Sequence, residues 1–124
     1  MTPNEILKTA CRAADSKMAG DIEILDIREL TTIADYFVIL TGSSAAQIRA
    51  ITEEIERKLK EAGETPLSVE GLSASSWVLM DYGDIIVNLL TKEQREHYQI
   101  ERVWIDCIRL DIDYPQKDEQ GGTL

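Results

Sequence analysis

The sequence predicts an α/β fold: a mixed sheet of about five strands, two long helices and short C-terminal helices. Three observations carry this. Two stretches, near residues 3–18 and 44–62, repeat their apolar residues at helical spacing. Between and after them lie short β-rich runs that alternate or are wholly apolar. No internal repeat or interdomain linker divides the 124 residues. Residues 1–113 therefore read as a single domain, and 114–124, with "QKDEQGGTL", as a disordered tail. A chain of this length buries roughly 65% of its unfolded surface, enough for a core.

Each element follows from local chemistry. Thr2 is an N-cap, Pro3 suits the first helical position, and Glu5 completes a capping box. Leu7, Cys11, Ala14 and Met18 then share a face, beside Ile6, Ala10 and Ala13, and Gly20 is the expected stop. "DIEILDI" alternates as a strand with Ile22 and Ile24 on one side. "LTTIA" links it to Tyr36–Thr41, a nearly all-apolar run expected at the sheet centre. The second helix is expected from about Ser44 to Ala62. Ile48, Ile51, Ile55 and Leu59 form its buried stripe; Glu53, Glu54, Glu56, Arg57, Lys58 and Lys60 form its solvated face. Gly63 stops it.

"TPLSVEG" holds a short strand, and "SSWVLMDYGDIIVNLLT" reads as a hairpin turning at Tyr82-Gly83-Asp84. Thr91 caps a short helix over Lys92–His97, a second is expected near Tyr98–Trp104, and "CIRLDID" alternates and reads either as an edge strand or as irregular. The hairpin strands are apolar on both faces. Trp77 and Leu79 point one way, Val78 and Met80 the other; Ile86 and Leu90 oppose Ile85, Val87 and Leu89. Two long helices cover one face. The second is either closed by the C-terminal segment or left partly open as an interface.

Composition narrows the function. The formal net charge is −10, from 23 acidic and 13 basic residues. Such a chain is repelled by phosphate backbones, which disfavours direct nonspecific nucleic-acid binding. It suits a basic protein partner, although acidity also serves solubility alone. No apolar run is long enough to span a membrane, and the polar N-terminus reads as lacking a signal peptide. Cys11 and Cys107 lack CxxC spacing and read as free thiols of a cytoplasmic protein.

No catalytic, cofactor or metal constellation is expected. "LTGSSAAQ" has the strand–Gly–helix shape of phosphate-binding loops, but it lacks the lysine of GxxxxGK[ST] and the glycines of GxGxxG. Ser44 with Gln47 explains it as a capping box, and Gly42 as a sharp turn. A nucleotidyltransferase would need magnesium-binding carboxylates there; Asp26, Asp35, Asp81 and Asp84 stand apart in sequence. His97, the sole histidine, lies in a charged segment without metal-ligand spacing. The serines of "GLSASSW" lack a GxSxG elbow.

In combination, "DYFVILTGSSAAQIRAITEEI", "VEG" and "SSWVLMDYGDIIVNLLTKEQREHYQIERVW" resemble the ribosomal silencing factor family, RsfS, also called the Iojap family. The likeness covers the chain from the first helix to Trp104. It includes W-x-x-x-D-x-G-D over the hairpin and a closing R-x-x-Y-x-x-E-x-x-W. One departure is Asn88, where the family often carries histidine; another is the stretch after Trp104. The resemblance implies a nucleotidyltransferase-like shape without catalytic carboxylates, and a role that is not enzymatic. It implies binding to the large ribosomal subunit through universal large-subunit protein fourteen, steric block of subunit joining, and a homodimer when free. Rival readings are a large-subunit assembly factor and a divergent nucleotidyltransferase using Ser43 and Ser44.

Partner contact is expected at Glu70, Trp77, Asp81, Tyr82 and Tyr98, on the hairpin and its flanks. Trp77 is a large anchor or else a core tryptophan. Asp81 and Tyr82 offer a charge and a hydroxyl, or else only turn chemistry with Asp84 capping the turn. Glu70 is a contact or an inert surface charge. Tyr98 is an amphipathic contact or a ring under Trp104. Asp35 and Arg95 brace loops.

Overall fold

The computed structural model describes residues 1–102 and 108–110. Helix α1 spans Pro3–Ser16. The Thr2 hydroxyl accepts the Glu5 N–H at 3.2 Å, and the Glu5 carboxylate accepts the Thr2 N–H at 2.8 Å, so the expected capping box forms. The helix ends earlier than expected. The Met18 N–H donates to the Asp15 carbonyl and the Ala19 N–H to the Ala14 carbonyl, a Schellman closure with Met18 at φ +66° in the position glycine usually takes. Gly20 instead opens strand β1 (Gly20–Asp26), and Met18 is left exposed beyond the helix.

Strand β2 (Tyr36–Gly42) leads into helix α2 (Ala45–Glu61). Ser44 is its N-cap, accepting the Gln47 N–H at 3.1 Å. The Gln47 side chain does not return to Ser44. Its Oε1 accepts from the Ser43 N–H and hydroxyl, and its Nε2 donates to the carbonyls of Lys17 and Met18. One glutamine thus fastens the start of α2 to the end of α1. Gly42 is required by close approach: a Cβ there would lie 2.7 Å from Ile48 Cδ1. On α2 itself Glu54, expected in solvent, is buried against the helix and held by two nitrogens of Arg57.

Strands β3 (Ser68–Glu70), β4 (Trp77–Asp81) and β5 (Ile85–Thr91) follow, then helix α3 (Lys92–Tyr98), a 3-10 turn over Ile100–Arg102, and strand β6 (Ile108–Leu110). Trp104, Cys107 and 111–124, with the remainder of the second short helix, the flanks of the edge strand and the tail, lie outside the described residues. Among the described residues the sheet has six strands in the order β3-β4-β5-β2-β1-β6; the sixth, β6, lies in the stretch read as a candidate edge strand and pairs with the free side of β1. Only β2 and β5 pair in parallel; the other pairs are antiparallel. These two apolar strands occupy the centre, where both faces must be covered.

On one face α1 and α2 bury Ile24, Val38, Leu40, Val78, Met80, Val87 and Leu89. Cys11 sits in this layer without solvent exposure, and burial pushes its thiol up to about 12. The opposite face carries a smaller cluster of Leu25, Ile27, Ala34, Ile39, Ile86 and Leu90, with Phe37, Trp77, Leu79 and Ile100 packed at its margin and only partly buried. The sequence left two outcomes for this face. Among the described residues the α3 segment covers part of it.

The loop before β4 is fixed by its backbone. Gly71 has φ +88°, and a Cβ there would stand 2.1 Å from the Trp77 carbonyl oxygen. Ser75, at φ +56°, donates its N–H to the Gly71 carbonyl and its hydroxyl to the Leu72 carbonyl. Gly71→Ala meets both obstacles and is expected to destabilise by about 2–4 kcal/mol, lowering Tm by roughly 8–15 °C in a thermal melt. At the far end of β1, Arg28 holds Asp26 through two side-chain bonds of 3.0 and 2.7 Å and one backbone bond. Hydrogen bonding to Arg28 keeps the Asp26 carboxyl below its ordinary range. A depressed carboxylate stabilises above its unfolded pKa and loses that contribution as pH falls through the folded value. The stability advantage of wild type over Asp26→Asn, measured by urea unfolding, is therefore expected to be full at neutral pH and to shrink below about pH 4.

Candidate functional site

The partly open face gathers most of the residues singled out above. Side-chain alternation and register place Ser68 and Glu70 on β3, Trp77, Leu79 and Asp81 on β4, and Ile86, Asn88 and Leu90 on β5 on one side of the sheet. Glu70 pairs with Leu79 and is exposed. Its carboxylate has neither a hydrogen bond nor an ion pair among the described residues.

Trp77 is only partly buried. Its indole Nε1–H donates to Asn88 Oδ1 at 3.2 Å. Its ring lies 4.8 Å from that of Tyr98, tilted by 50°. Tyr98, at the end of α3, is 51% exposed and meets His97 edge-on at 4.8 Å. Indole, phenol and imidazole form a short aromatic ridge where α3 crosses the face.

Asp81 has a second duty. Its carboxylate accepts the Gly83 N–H at 2.8 Å and closes the hairpin turn, with the Tyr82 N–H donating to the Ile85 carbonyl and Gly83 at φ +87°. The turn is thus capped by Asp81, not by Asp84 as expected. The Asp84 carbonyl instead accepts the N–H groups of Asp35 and Tyr36, tying the hairpin to β2. Tyr82 lies with the helix-side core, away from Trp77. Its hydroxyl is buried without a hydrogen-bond partner among the described residues, and burial beside Glu56 and Glu64 pushes the phenol pKa up. The fold therefore brings Glu70, Trp77, Asp81 and Tyr98 to one face and sends Tyr82 to the other.

Arg95 fixes α3 over this face. A bulge in β1, with Asp21 at φ +45°, turns the Asp21 carbonyl outward. Arg95, 8% exposed, donates to that carbonyl and to Glu23 Oε2, both at 2.5 Å. Glu23 also pairs with Arg109 of β6. The expectation that Arg95 braces loops understated its reach: it joins α3 to a strand more than seventy residues earlier. Beside it lies a recess of about 460 Å³ lined by Asp21, Glu23, Lys92, Arg95, Glu96 and Arg102 among others, with charges of both signs.

Several of the groups weighed for catalysis are engaged elsewhere. Ser43 and Ser44 cap α2, Asp26 pairs with Arg28, and Asp81 closes the turn. Among the described residues, no group of three or more His, Cys, Asp or Glu side chains is placed to hold a metal ion. No described helix is long and apolar enough to cross a membrane. Sequence reasoning missed the Trp77–Asn88 bond. Its only signal was a lone amide in the apolar run "IIVNLL".

A family profile described as "Ribosomal silencing factor during starvation" matches residues 1–123. The ribosomal silencing factor RsfS of Bacillus subtilis is 39% identical over 114 residues, spanning 92% of this chain and 97% of that protein. A crystal structure of a Chromobacterium violaceum protein superposes with a TM-score of 0.83 at 32% identity, covering 94% of this chain and 97% of that one. Two organellar proteins are more distant. The chloroplastic protein Iojap of Zea mays is 31% identical over 106 residues, 83% of this chain and 45% of that protein. The mouse "Mitochondrial assembly of ribosomal large subunit protein 1" is 29% identical over 89 residues, 69% of this chain and 39% of that protein. With its profile matched almost end to end and its α/β fold shared with this Chromobacterium structure, the chain belongs to the ribosomal silencing factor (RsfS) family.

Proposed function

We propose that this protein represses translation by binding the large ribosomal subunit, through universal large-subunit protein fourteen, and by occupying space that the small subunit needs. The observation that carries the reading is the partly open sheet face, with Trp77 and Tyr98 forming an aromatic ridge on it and Glu70 and Asp81 beside them, on a chain of net charge −10. Central aromatic anchors with a charged rim are the usual anatomy of a specific protein interface. Acidic rim groups suit a basic ribosomal protein, and they make association fast and salt-sensitive. A steric mechanism needs binding and nothing else. The relatives named as silencing factors support a regulatory role, not an enzymatic one, acting in the cytoplasm. In the free protein the same apolar face is the proposed homodimer contact, while Tyr82, packed on the helix side, lies away from it.

A second reading has its own support. The mouse relative is named for assembly of the mitochondrial large subunit, which favours a role on precursor particles.

Co-sedimentation with purified large subunits separates these readings. Wild type is expected to co-sediment with mature subunits and to prevent their joining to small subunits. Association with precursors alone would favour assembly. Trp77→Ala is expected to weaken binding by more than about fivefold, the loss of a central anchor. Glu70→Arg disturbs no side-chain bond among the described residues and is expected to weaken binding most at low salt. Asp81→Asn keeps an acceptor for the Gly83 N–H, so any loss it shows reports charge and not turn collapse.

A further inference from the structure

Asn88 is the anomaly of the open face. It sits on β5, 2% exposed, with Leu79 opposite it on β4 and Ile39 opposite it on β2. Its neighbours along the same side of β5 are Ile86 and Leu90. An amide in such surroundings is unfavourable unless its hydrogen bonds are made. Only one of its two polar groups is engaged among the described residues. Oδ1 accepts the Trp77 indole N–H, while Nδ2 is buried without a partner among the described residues. Leucine at this position would pack the apolar stripe without a stranded donor. What leucine would not do is hold the indole.

Trp77 needs holding. It is only partly buried, so packing alone restrains it incompletely, and its Nε1–H could otherwise turn toward solvent. The bond to a fully buried, strand-borne acceptor fixes the ring about both of its side-chain torsions. Tyr98 then rests against it from α3. With the single polar atom of the indole engaged inside the fold, the outward surface of Trp77 is carbon alone.

We infer that Asn88 is a positioning residue for the proposed contact surface: it locks the Trp77 indole in one orientation and keeps its N–H inside the fold, so that Trp77 meets a partner through apolar surface and not as a hydrogen-bond donor. This rests on Trp77 being part of the contact surface proposed above. It also states what the partner must offer at that point: an aliphatic or cationic side chain that packs on the ring, not a carbonyl or carboxylate seeking a donor.

The experiment compares the full-length protein with Asn88→Leu, Asn88→His and Trp77→Phe. Indole resonances are recorded on 15N-labelled tryptophan, with Trp77→Phe assigning the signal of Trp77. In wild type the Trp77 N–H is expected to exchange slowly with solvent. Asn88→Leu is expected to keep the fold, to shift that resonance and to speed its exchange at least tenfold. Binding to large subunits is expected to weaken about three- to tenfold, the scale of one hydrogen bond. Asn88→His, whose neutral ring can accept the same bond, is expected to restore slow exchange and binding. In the Trp77→Phe background, Asn88→Leu is expected to change binding no further, because its effect travels through the indole. An unshifted Trp77 resonance in Asn88→Leu overturns the inference. So does an equal loss of binding with and without Trp77. If wild type binds no large subunits, the proposed function falls, while the indole resonance still decides whether Asn88 holds the ring.

Discussion

The parallel pairing of β2 with β5 is the constraint on which the rest of the structure depends. Seven consecutive register pairs, Tyr36 with Ile85 through Gly42 with Thr91, place two apolar strands side by side at the sheet centre. Parallel neighbours cannot be joined by a tight turn, so the chain must leave the sheet between them. It does so through α2, then re-enters the sheet at its edge as β3 and returns through β4 to β5. The same pairing leaves apolar side chains on both faces, and each face then demands a cover. The helices α1 and α2 supply the first completely. Among the described residues the second receives α3 and the following turn, and its margin is partly exposed at Phe37, Trp77 and Leu79. The proposed interaction surface is the part of the second face that α3 leaves uncovered among the described residues.

Two polar devices hold that incomplete cover in place. Arg95 reaches from α3 to the bulged carbonyl of Asp21 and to Glu23, and Glu23 is shared with Arg109 of β6. A buried guanidinium satisfied by a carbonyl and a carboxylate fixes direction as well as distance. It sets where α3 lies, and so where Tyr98 meets Trp77. At the other end of the hairpin, Asp81 closes the turn and the Asp84 carbonyl receives two N–H groups from the start of β2. The aromatic ridge therefore stands between two fixed points on a rigid sheet, which lowers the ordering cost of any contact made through it.

The Gly-Ser-Ser turn shows how a phosphate-loop outline can have another origin. Its backbone and hydroxyl groups are consumed by Gln47 and by the cap of α2, and Gly42 is there because Ile48 leaves no room for a Cβ. Gln47 at once ties down Ser43 before α2 and binds the carbonyls of Lys17 and Met18 just after α1, which makes the turn part of the α1–α2 layer.

Much of this was legible in the sequence. Apolar spacing and cap chemistry are local, so the two long helices, the hairpin, the opposed faces of β4 and β5 and the central place of β2 followed from residues a few positions apart. Family membership followed from motif order. Some misreadings were local and others came from contacts between segments. The Schellman closure put Met18 where glycine was expected, and Asp81 took the turn role assigned to Asp84. Tyr82 and Trp77 are only five positions apart, yet the turn sends one ring to the helix side and the other to the open face. Asn88 had no legible role at all, because its partner lies on the neighbouring strand. Sequence determined which elements form and which faces are apolar, since those depend on neighbours along the chain. Tertiary structure alone decided which face stays open, how α3 is pinned across it and which side chains meet there, since those depend on contacts between segments that local patterns do not encode.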